Sequence, residues 1–157
     1  MKPLHAIIIT LTVILSGCNR NNKDNINEKA SVSALDVLPE NPLLLSPITF
    51  SVNPNKAVMS TLYGNKTAFQ HAVTKADSFY PNGAVLYEVT WKQKADSLWY
   101  GANIPDQIIS VEKVQFTENA VPKYELYAGH PLKKVSSNDE NKRISFVISQ
   151  RMAVTPD

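Results

Sequence analysis

The chain has 157 residues, with 16 basic and 14 acidic side chains and a formal net charge of +2. That length supports one domain with a sizeable core, and the near-neutral balance excludes a basic surface for nucleic acid or a broad polybasic membrane patch. A single cysteine, Cys18, excludes a disulfide-stapled fold and a thiolate metal cluster, so stability must come from packing.

Lys2 opens the chain, residues 7–15 are mostly apolar, and Leu15-Ser16-Gly17-Cys18 closes this stretch. Such a run is too short to span a bilayer and has the pattern of a processed export signal. Leu-Ser-Gly-Cys resembles the lipobox of bacterial lipoproteins. The resemblance implies a signal peptide over residues 1–17, cleavage before Cys18 and acylation of its thiol. The expected partner is therefore the membrane itself, with each buried methylene contributing about 0.8 kcal/mol. The expected location is the cell envelope, on the periplasmic side. Asn19 rather than Asp follows Cys18, which favours the outer membrane over the inner.

Residues 18–42 are expected to form a disordered tether, because Asn, Lys, Asp, Glu and Ser dominate its first half and Pro39 and Pro42 punctuate its end. The domain is placed over residues 43–157. Residues 48–52 and 57–63 read as strands, and Gly64-Asn65 breaks the second, with Asn65 a helix N-cap. Ala68, Phe69, Ala72, Val73 and Ala76 would share one face of the helix that follows. Pro81-Asn82-Gly83 makes a tight turn.

Residues 84–92 form the strongest strand: Val85, Tyr87, Val89 and Trp91 line one face, Leu86, Glu88, Thr90 and Lys92 the other. Residues 98–100, 108–116, 122–127 and 143–150 are further strand candidates, with a polar turn over residues 138–141. The fold class expected is α+β, a mostly antiparallel sheet with one helix packed on it.

Three runs are more specific than any periodicity. They are Met59-Ser60-Thr61-Leu62-Tyr63-Gly64-Asn65, then Tyr80-Pro81-Asn82-Gly83-Ala84-Val85-Leu86, then Trp91 followed by Trp99-Tyr100-Gly101-Ala102-Asn103-Ile104-Pro105. With Ser110-Val111-Glu112 and the closing residues 150–156, they resemble the cytochrome P-460 family over roughly residues 48–156. The resemblance implies an antiparallel sheet with a haem pocket against it, and a homodimer. Relatives with known chemistry oxidise hydroxylamine or bind diatomic gases, and hold a c-type haem through C-x-x-C-H.

That motif is missing here. With Cys18 assigned to the anchor, covalent c-type haem is excluded, and the domain is expected to bind haem or another small ligand non-covalently, or to have lost the cofactor. The alternative is a structural or interaction lipoprotein with its pocket packed shut. A redox enzyme acting on small nitrogen compounds is the least favoured reading, so the expectation leans away from an enzyme.

Glu88, Trp91, Lys92, Trp99, Tyr100 and Phe116 are the candidate pocket residues, each with a blander alternative. The aromatics serve equally well in an ordinary core, and Glu88 and Lys92 on the wetter face of a half-buried strand. His130 is the candidate axial ligand, against an ordinary turn histidine, and His71 is expected on the exposed side of its helix. No catalytic set is expected: Asp77, Asp96 and Asp106 are scattered, and G-x-S-x-G, phosphate-loop and dinucleotide motifs are missing. No metal site is expected, since the histidines lack ligand spacing.

Overall fold

The period-two pattern along residues 84–92 becomes the central strand of an antiparallel sheet in the computed structural model, which describes residues 27–74, 79–118 and 121–152. The expected signal peptide, Cys18 and the first part of the expected tether lie outside these residues, as do Ala76 and Asp77. Six strands follow in chain order: β1 (Ser46–Asn53), β2 (Val58–Gly64), β3 (Val85–Ala95), β4 (Asn103–Gln115), β5 (Lys123–Ala128) and β6 (Lys133–Val135). Each pairs antiparallel with its sequence neighbour, giving the order β1-β2-β3-β4-β5-β6. Helix α1 (Lys66–Val73) joins β2 to β3, and helix α2 (Glu140–Ser149) follows β6. The protein is α+β, mostly sheet.

The β3 alternation divides the core in two. Leu86 joins Ile48, Leu62, Ala68, Val114 and Val147 under the helices. Tyr87, Val89 and Trp91 join Ile108, Val111, Tyr127 and Leu132 on the opposite face. Among the helical positions, Ala68 is fully buried and Phe69 and Ala72 pack on the first cluster, whereas Val73, expected inside, is half exposed.

Asn65 stitches two of the sequence runs together. Its Oδ1 accepts from Ala68 N (3.0 Å) and Val85 N (3.2 Å), while Nδ2 donates to Gly83 O (2.8 Å). Gly83 adopts φ +83°, the left-handed conformation its turn requires. At Gly64 the reason is space: a Cβ there would lie 2.7 Å from Ile48 Cδ1 and 3.0 Å from the Ala68 Cβ. These motif residues therefore hold β2, α1 and β3 in register.

Three expectations are corrected. Residues 143–149 belong to a helix, with Gln150 just past its end, and not to a strand: Ile144, Val147 and Ile148 recur at helical spacing, and it is Val147 that is fully buried. Residues 98–100 form the turn between β3 and β4 instead of a strand. The expected tether is also too long, because residues 27–45 lie as a strap across the second sheet face. Ala30, Val32, Leu38, Leu43 and Leu45 pack there on the core. Hydrogen bonds fix the strap: Trp91 Nε1 donates to Ala30 O (2.9 Å), Leu132 N to Asp36 Oδ1 (2.7 Å), and Val37 N to Leu132 O (2.9 Å). Five apolar side chains at irregular spacing suffice because a finished sheet face is there to receive them.

Candidate functional site

The helix-covered face carries a buried ionic cluster. Glu88 and Glu112 are cross-strand partners on β3 and β4, with 1% and 6% of their surface exposed. Two like charges side by side in a core destabilise it unless compensated. Compensation comes from α2: Arg143 grips Glu112 bidentately, Nε to Oε2 at 2.9 Å and Nη2 to Oε1 at 2.8 Å. Gln150, just past the helix, donates Nε2 to Glu88 Oε2 (2.9 Å), and the Ser60 hydroxyl also bonds this carboxylate.

Desolvation pushes the Glu88 carboxyl above its ordinary value, with Glu112 adding to the effect, against the opposing hydrogen bonds of Ser60 and Gln150. Tyr124, beside Glu112, is pushed up to about 12 by burial and by that carboxylate. Burial alone would lower Arg143, but its hydrogen bonds and charge contact with Glu112 outweigh this and raise it.

An opposite arrangement occupies the second face. Glu125 accepts from Lys134 Nζ and the Tyr127 hydroxyl, both at 2.8 Å, with Lys113 at 3.9 Å. These partners, the Lys134 hydrogen bond first, hold its carboxyl down at about 2. Fully buried Tyr87 donates its hydroxyl to Glu40 Oε1 (3.0 Å), and burial raises this phenol strongly.

Beside the ionic cluster, a groove of about 590 Å³ opens between α2 and the end of β4. Tyr80, Phe116, Pro122 and Ile148 form its apolar walls, and Asn82, Thr117, Ser145 and Ser149 supply polar groups. The Tyr80 and Phe116 rings pack tilted, 5.4 Å between centroids. His71 is half-buried behind the groove, its ring 4.6 Å from that of Tyr80, so the exposed position expected for it is corrected. Clefts of this size accommodate small molecules. Among the described residues no cluster of three or more His, Cys, Asp or Glu could hold a metal, and no helix is long and apolar enough to cross a membrane.

The six residues expected to share a pocket do not meet. Phe116 lines the groove, and Glu88 lies deep beneath α2. Trp91 is buried on the opposite face under the strap, and Lys92 is exposed. Trp99 and Tyr100 are exposed at the β3–β4 turn, 71% and 109%. Residue alternation separates Glu88 from Trp91, while β3 and β4 extend past their neighbours and carry the other two aromatics away from the core. His130 sits exposed in the β5–β6 turn and does not line the groove.

No protein-family model matches the chain. No curated protein matches it either. The residues missed by sequence reasoning are Arg143, Gln150 and Tyr80, which gain their roles from a helix that read as a strand. The acidic pair Asp139-Glu140, four and three residues ahead of Arg143, was the available signal for that helix.

Proposed function

We propose that the protein is a cell-envelope lipoprotein of cytochrome P-460-like fold, anchored through Cys18, whose domain holds a small, mainly apolar ligand without a covalent link. The observation that carries the ligand-binding part is the groove walled by Tyr80, Phe116, Pro122 and Ile148, open to solvent and edged by hydroxyl and amide groups and the Glu118 carboxylate. An antiparallel sheet is what the family resemblance implies, and the motif residues Gly64, Asn65 and Gly83 hold β2, α1 and β3 together in this chain. Haem ligated by His130 receives no support from the groove, which that residue does not line.

Titration of the mature chain carrying Cys18→Ser with the fluorescent probe anilinonaphthalene sulfonate should give saturable one-to-one binding. Ser145→Trp and Ser149→Trp, both at exposed positions on the groove wall, should each abolish it. Non-saturable binding, or binding indifferent to both substitutions, would overturn the groove assignment. Added haem is expected to give no Soret shift that His130→Ala removes.

The anchor is tested separately. In cells fed labelled palmitate, the wild-type chain is expected to carry label and sediment with membranes. Cys18→Ser should lose the label completely, and equal labelling of the two would refute the lipobox.

A further inference from the structure

The β3–β4 hairpin runs on after its neighbours have stopped. Pairing with β2 ends at Val58↔Lys92 and pairing with β5 at Ser110↔Ala128, yet β3 and β4 continue to Ala95↔Asn103. The turn at its end is built rather than loose. Leu98 N donates to Asp96 Oδ1 (2.8 Å), Asp96 N to Ala102 O (2.9 Å) and Ala102 N to Trp99 O (3.1 Å), with Gly101 at φ +80°. This ordered turn presents Leu98, Trp99 and Tyr100 to solvent, 86%, 71% and 109% exposed. Three consecutive large side chains held out of a core form a surface that favours a less aqueous neighbour.

The position of the strap says which neighbour. Its first described residue, Asn27, donates Nδ2 to Pro105 O (3.1 Å) and Asp106 O (2.7 Å), at the base of this same hairpin. Cys18 lies nine residues upstream of Asn27. Nine residues reach at most ~30 Å, and the five residues from Pro105 to Tyr100 span ~17 Å. The anchor and the hairpin tip therefore leave the domain at one end and can reach one plane.

We propose that Leu98, Trp99 and Tyr100 form a second membrane contact, seated in the interfacial region of the bilayer that holds Cys18. This rests on the anchor reading above. Trp and Tyr are the residues that populate the membrane–water interface, with an apolar ring inward and a polar tip in the headgroups. Lys92 and Lys94 stand behind the tip on the hairpin, Lys94 paired with Asp106 at 3.5 Å, where anionic headgroups would meet them. Anchor and tip together give two attachment points, which fix how the domain faces the membrane.

The chain offers its own reporters. Of its two tryptophans, Trp99 is exposed and Trp91 is 5% exposed beneath the strap. The mature chain is coupled through the Cys18 thiol to a maleimide-bearing phospholipid, in phosphatidylethanolamine–phosphatidylglycerol vesicles with brominated acyl chains. Trp99 emission should be quenched by the bromolipid and protected from aqueous iodide. Trp99→Phe should leave only unquenched Trp91 emission, and Leu98→Ser with Tyr100→Ser should cut the quenching roughly tenfold.

Equal iodide access with and without vesicles, and no bromolipid quenching, would overturn the proposal. So would iodide protection that grows with protein concentration in the absence of vesicles, because a second copy would then cover the tip. Chemical coupling makes this outcome independent of acylation in cells, so a failed tip and a failed anchor give different results.

Discussion

A chain beginning at residue 46 is expected to lose cooperative unfolding, whereas one beginning at residue 27 should unfold like one beginning at residue 18. The strap contributes Ala30, Val32, Leu38, Leu43 and Leu45 to the second core cluster. At about 1–2 kcal/mol for each partly buried aliphatic side chain, their loss approaches the 5–15 kcal/mol that stabilises a typical domain. Removing the strap also strips partners from the Trp91 indole, the Leu132 amide and the Tyr87 hydroxyl. Water must then replace these partners, at a net cost of about 0.5–1.5 kcal/mol for each hydrogen bond lost. Urea titration followed by circular dichroism decides the matter. A residue 46–157 chain with the midpoint and slope of the residue 18–157 chain would show that the strap is decoration.

Arg143→Ala should be the most damaging single substitution in the ionic cluster, by about 2–4 kcal/mol at pH 7, somewhat under the full value for a buried pair because the guanidinium is partly exposed. It leaves Glu112 in the core beside Glu88 with no cation to offset either carboxylate. Glu88→Gln should recover about 1 kcal/mol or more in the Arg143→Ala background, since it removes one of the two charges and keeps an acceptor for Gln150.

The pH dependence gives a second reading of the same cluster. The Glu88 carboxyl is raised in the folded state, so folding takes up a proton as pH falls, and its share of stability declines as pH rises from the ordinary carboxylate value toward the raised one. Glu125 behaves oppositely. Held at about 2, it contributes stability above the ordinary carboxylate value that is lost as pH falls toward about 2. Urea midpoints for wild type and Glu88→Gln between pH 4 and 8 should therefore converge at the acid end and separate toward pH 8, with the variant more stable. Curves that stay parallel would mean that Glu88 carries no buried charge.

What could be read in advance follows from how local each signal is. The β3 alternation and the Asn82-Gly83 turn are determined within a few residues, and both are realised. The Asn65 cap was equally local, though the sequence carried no sign that its side chain also reaches Val85 and Gly83. Residues 143–150 misled because Ile144, Phe146 and Ile148 alternate as strictly as a strand. Helical spacing of 144, 147 and 148 competes with that pattern, and packing against a sheet already complete decides for the helix. The strap was illegible for a different reason. Nothing in Asp36 or Ala30 announces a partner at Leu132 or Trp91, more than sixty residues away. The candidate pocket dissolved because aromatic content says nothing about which side of a sheet, or how far beyond its edge, a ring will stand.

The strap also imposes an order of events. All strand pairs link sequence neighbours, so the sheet can zip up progressively as the chain emerges N-terminus first. The Asp36–Leu132 contact cannot: it joins residues 96 positions apart, and its first partner emerges long before its second. In a chain emerging N-terminus first, the strap is out while the second sheet face that it covers is still incomplete. Docking of the strap is then the last step of folding, and it waits on Leu132, near the far end of the sheet.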